Sequence, residues 1–152
     1  MLDFEKFLMS KPFAIIVDID ETICTQFDVP IEVAVEVLQR IDERKLHVHY
    51  VTARPEVCGT ATANFITADR LPGALNVWMC PDVLDSLAHK RKQHDLLKEK
   101  FEVIASIGDS AEEEEASAAA GIPFVAVDLY DPRPAWTTLA ARIVEVGGFR
   151  DA

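Results

Sequence analysis

The sequence predicts a single doubly wound α/β domain over residues 1–152, with a five-stranded, mainly parallel sheet and helices on both faces. Three observations carry this. Short apolar runs alternate with longer stretches of helical periodicity along the chain. The strand candidates are almost continuously apolar, as in strands covered on both sides. The chain carries no repeat, low-complexity tract or long linker, and 152 residues suffice for one sizeable core.

The first strand is FAIIVD, 13–18, bounded by Pro12 and by acids. Pro30 opens a helix over 30–44, in which Ile31, Val35, Leu38 and Ile41 recur at helical spacing. LHVHYVT, 46–52, is the second strand. A helix over 55–70 follows Pro55 and stops near Pro72-Gly73. ALNVWMC, 74–80, is the third strand and 86–101 the next helix. EVIASIGD, 102–109, is the fourth strand, followed by a helix that ends at Gly121. IPFVAVD, 122–128, is the fifth strand, and a closing helix runs over 134–148.

Composition narrows the function. A net charge of −11 disfavours long polyanions and anionic membranes, and no basic stripe suggests an extended nucleic-acid surface. Three cysteines without CxxC spacing read as reduced thiols. The opening MLDFEKFLMSK lacks a signal-peptide apolar core, and no apolar run is long enough to span a bilayer. A cytoplasmic protein is expected.

Parallel sheets bind ligands beyond the carboxyl ends of their strands. Three of those ends carry polar chemistry: Asp18 and Asp20 after the first, Thr52 and Arg54 after the second, Asp109 after the fourth. Together, VDIDETI, YVTAR and IASIGDS resemble the first, second and fourth motifs of the haloacid dehalogenase-like phosphatases, in the right order and over nearly the whole chain.

The resemblance implies a phosphomonoesterase in which Asp18 attacks phosphorus, forming an aspartyl-phosphate, while Asp20 is general acid and then base. It implies Mg²⁺ held by the side chains of Asp18 and Asp109 and the backbone carbonyl of Asp20. Thr52 would bond a phosphoryl oxygen, and Arg54 would meet substrate or pair with a surface acid. The third-motif lysine facing the phosphate would be Lys90, with Lys92 the second choice; Lys98 and Lys100 suit a solvated helix end. Glu113 steadies Lys90, or closes a capping box with Ser110, or both.

Other residues read as structure. Thr22 is expected to bond the local turn, Cys24 to pack, and Trp78 and Trp136 to lie in the core or against helices. His47 and His49 alternate onto one strand face as structural histidines. The links after the first two motifs leave no room for a cap, so the site is expected to be open. It would take a phosphorylated small molecule, a nucleotide or a polynucleotide end, with a second copy of the chain as a possible lid. The alternatives are a phosphatase-like regulatory protein without activity and a receiver-type phosphoacceptor domain, the latter with its acceptor after the third strand, at Asp82.

Overall fold

The computed structural model describes residues 10–151; residues 1–9, most of the opening stretch read as lacking a signal-peptide core, fall outside them. Its elements are β1 (Phe13–Val17), α1 (Glu32–Gln39), β2 (Leu46–Pro55), α2 (Gly59–Ala68), β3 (Val77–Cys80), α3 (Ser86–Lys100), β4 (Glu102–Gly108), α4 (Ala111–Ala120), β5 (Phe124–Ala126) and α5 (Arg133–Glu145). The five strands form one sheet in the order β3-β2-β1-β4-β5, and every pairing is parallel. The doubly wound class is therefore as expected. A receiver domain orders its strands 2-1-3-4-5. The observed order excludes that alternative.

Alternation along the strands feeds two unequal layers. Ile15, Val17, Val48, Tyr50 and Ile107 pack with α1, α2 and α5 around the fully buried Trp136. Ile16 and Val51 face the other way, toward Leu97 of α3 and Ala120 of α4, in a much smaller apolar cluster. His47 and His49 share that second face, both against Phe101. Burial pushes His49 down to about 4, with nearby cations adding to the effect, so its ring is neutral.

Several boundaries differ from the sequence reading, each for a local reason. The helix expected to reach residue 44 ends at Gln39. Beyond it Asp42 accepts hydrogen bonds from the Arg44 backbone N–H (3.0 Å) and guanidinium, and this Asx turn competes with the helix. The third strand starts at Val77 because Gly73, at φ +78°, turns under the Val48 carbonyl, where a Cβ would sit at 2.3 Å. The fifth strand shrinks to three residues: Pro123 offers no N–H and Ile122 bonds Ser117 instead. Trp78 is not core: it lies half-exposed on the edge strand, stacked on His49 and donating to its Nδ1 at 3.2 Å.

Candidate active site

The strand order reverses direction between β1 and β4, and the crevice beyond that point is where such sheets hold ligands. Asp18 follows β1 there, its N–H donating to Ile107 of β4 at 3.0 Å, and Asp109 follows β4. Carboxylate oxygens of Asp18, Asp109 and Glu113 lie within 4.8 Å of one another.

Asp18 is buried, and burial is the main reason its carboxyl is pushed up to about 7; Lys90 opposes the shift, while Asp109, hydrogen-bonded to it, adds to it. Thr22 bonds the local turn through its N–H, which donates to the Ile19 carbonyl at 3.2 Å, while its hydroxyl donates to Asp18 Oδ2 at 3.4 Å. Lys90 Nζ stands 3.9 Å from Asp18 Oδ1 and forms an ion pair with Glu113, both side chains being buried. Lys92 lies elsewhere, in a cleft beside His49 and Trp78.

Glu113 holds both roles open to it. It pairs with Lys90, and it also accepts from the Ser110 N–H (2.9 Å) and hydroxyl in a capping box at the start of α4. Gly108 makes room for it, since a Cβ there would meet the Glu113 side chain at 2.7 Å. Sequence reasoning passed over Gly108, and nothing in its position alone signals that a carboxylate passes beneath it.

Glu21, which carried no role in the sequence, is the other arrival. It sits in the left-handed region at φ +60°, and its carboxyl is raised, chiefly by a hydrogen bond to Asp109. Carboxyl groups that hydrogen-bond to each other share a proton or surround a cation. Asp18 and Asp109 offer hard oxygen donors, the ligand type that Mg²⁺ takes.

Thr52 is buried within β2, its hydroxyl accepting from the Arg54 N–H at 3.0 Å. Arg54 turns to protein carboxylates. Its Nε and Nη2 fork onto Asp20 (3.1 and 2.8 Å), Nη2 also reaches Asp28 (2.7 Å), and Nη1 donates to Thr62 (3.0 Å). Asp20 is half-exposed and held by this fork, whereas Asp18 is enclosed. Cys24 is buried against Ile19, as a packing residue should be.

The same fold occurs in a solved phosphatase structure. The chain aligns over 91% of its length with D,D-heptose 1,7-bisphosphate phosphatase from B. bronchiseptica, a structure containing magnesium and phosphate, covering 88% of that protein at 17% identity and a TM-score of 0.55. NagD from E. coli K-12 (18% identity, TM-score 0.37, 76% of this chain and 42% of NagD) and a hypothetical protein from Pyrococcus horikoshii OT3 (12%, 0.38, 85% and 54%) overlay only loosely. No protein-family model matches the chain, and no curated protein matches it by sequence. No helix among the described residues is long and apolar enough to cross a membrane.

Proposed function

We propose that the protein is a magnesium-dependent phosphomonoesterase working through Asp18. The observation that carries this reading is the convergence of Asp18, Asp109 and the buried Lys90–Glu113 pair at the one crevice where the sheet order reverses.

In the proposed reaction an Asp18 oxygen bonds to phosphorus as the bond to the leaving alcohol breaks, and Asp20 gives that alcohol its proton. Asp20 then takes a proton from water, which attacks phosphorus and frees Asp18 and inorganic phosphate. Lys90 balances charge on Asp18 and on the phosphoryl oxygens, and Thr52 donates to one of those oxygens. Bound between Asp18, Asp109 and the Asp20 backbone, Mg²⁺ would supply charge neutralisation. The short links after β1 and β2, each with a single 3-10 turn among the described residues, support an uncapped site.

The site's electrostatics give a metal prediction. A carboxyl raised to about 7 must lose its proton to ligate a cation. Mg²⁺ affinity is expected to fall about tenfold per pH unit below 7 and to level off above it, read by calorimetric titration. A flat profile between pH 5 and 7 would mean that Asp18 is not a ligand.

Arg54 has four donor hydrogens committed to Asp20, Asp28 and Thr62, which leaves little for a substrate. Its proposed work is to orient Asp20. Arg54→Ala should then cut kcat/KM for alkyl phosphates by roughly 10–100-fold, and far less for 4-nitrophenyl phosphate, whose leaving group needs no proton. An equal fall for both, carried in KM, would instead assign Arg54 to substrate binding.

A further inference from the structure

The loops around the site carry a surface pattern that phosphoryl transfer does not need. Three of them project an apolar side chain into solvent beside carboxylates. Val57 (88% exposed) adjoins Glu56, Leu84 (94%) lies between Asp82 and Asp85, and Tyr130 (96%) lies between Asp128 and Asp131. These segments follow β2, β3 and β5, so all stand at the carboxyl edge that holds Asp18 and Asp109.

Two of the loops are built the same way. Asp82 accepts the Leu84 N–H at 3.0 Å, and Asp128 accepts the Tyr130 N–H at 2.9 Å. Each Asx turn fixes its loop with the exposed apolar residue at the position that donates. Among the described residues Glu56, Asp82, Asp85, Asp128 and Asp131 form no ion pair.

Bases are scarce here. The loops of this edge contribute Arg54, already committed, and Arg133, while Lys90 is buried with Glu113. Most of the chain's net charge of −11 lies on this edge. Such a rim repels a polynucleotide and offers no cationic cluster for a second phosphate. A second copy would bring the same acids against it.

An apolar tip with a carboxylate alongside is the complement of a lysine or arginine side chain, whose methylenes pack while the head pairs. We infer, on the phosphomonoesterase reading above, that the substrate is a phosphorylated residue within a lysine- and arginine-rich polypeptide. Its phosphate enters the crevice at Asp18, and its basic flanks lie across the three loops. The absence of a folded cap from the links after β1 and β2 leaves room for such a chain.

The test compares two phosphoserine peptides of equal length, one flanked by lysine and arginine and one by glutamate and alanine. Phosphoethanolamine, fructose 1,6-bisphosphate and 4-nitrophenyl phosphate are run beside them. The basic peptide should exceed the acidic one by at least about tenfold in kcat/KM at low salt, and this ratio should shrink as salt screens the rim. The combined variant Asp82→Asn, Asp85→Asn, Asp128→Asn, Asp131→Asn should bring the ratio toward one, because asparagine can keep the turns while removing the charge. Equal rates for the two peptides in the unmodified protein would overturn the inference, as would a higher kcat/KM for phosphoethanolamine or the bisphosphate. The unmodified protein's salt series decides the matter even if the variant fails to fold. Failure to hydrolyse any substrate, the aryl phosphate included, would instead remove the phosphomonoesterase reading.

Discussion

On the proposed mechanism, Asp18→Asn is expected to reduce phosphate release from aryl phosphates by at least about 10³-fold, because the amide cannot form the aspartyl-phosphate. Loss of activity alone would not separate a lost nucleophile from a damaged fold, but pH does. The Asp18 carboxyl is raised by burial, so the folded protein favours its protonated form. In chelator, with no divalent metal, that contribution is present below about pH 4 and is lost as pH rises through about 7. The unmodified protein should therefore lose up to a few kcal/mol relative to the Asn variant across that window. His49 titrates over the same range with the opposite sign, since its depressed value withdraws stability as pH falls from about 6.5 toward 4. It does so in both proteins and cancels from the difference. Denaturant melts of the pair at pH 4.5 and 8 read the effect directly. Full activity in the variant, or parallel stability profiles, would dismiss Asp18 from this role.

Lys90→Met is the second large effect, and it acts on stability and activity together. Glu113 and Asp18 would then share a buried pocket without their cation. Removing one partner of a buried ion pair costs about 3–5 kcal/mol. Turnover should fall by about 10² or more, from lost charge balance at phosphorus. The double variant Lys90→Met, Glu113→Gln separates the two consequences. It removes the stranded charge and keeps much of the cap at Ser110, so most of the stability should return while turnover does not. Recovery of turnover in the double variant would mean that Lys90 serves only to neutralise Glu113.

Much of the fold was legible because burial on both faces writes itself into β-strands as unbroken apolar runs. The ends of those runs gave Asp18, Asp20, Thr52, Arg54 and Asp109, and the structure gathers them at one edge. Contacts between distant segments were not legible. Nothing in the sequence around Arg54 announces that it forks onto Asp20 and Asp28. Glu21 is one of many acids until its left-handed turn brings it against Asp109. Element lengths failed where a side chain competes with the backbone, as at Asp42, or where a glycine passes beneath a carbonyl, as at Gly73.

The unequal layers on the two sides of the sheet bear on how the protein fails when heated. Lys90 and Glu113 belong to α3 and α4, whose apolar support is the small cluster of Ile16, Val51, Leu97, Ala120 and Ile122. The opposite layer holds Trp136, Tyr50 and most of the remaining core. Local opening follows the thinner support. The α3–α4 layer should therefore loosen first, and with it the capped carboxylate that pins Lys90. Heat inactivation should set in several degrees below the cooperative melting of the whole domain. Amides at the start of α4 should then exchange with solvent sooner than those of α5. Inactivation that coincides with global melting, with equal protection of the two helices, would show one cooperative unit instead.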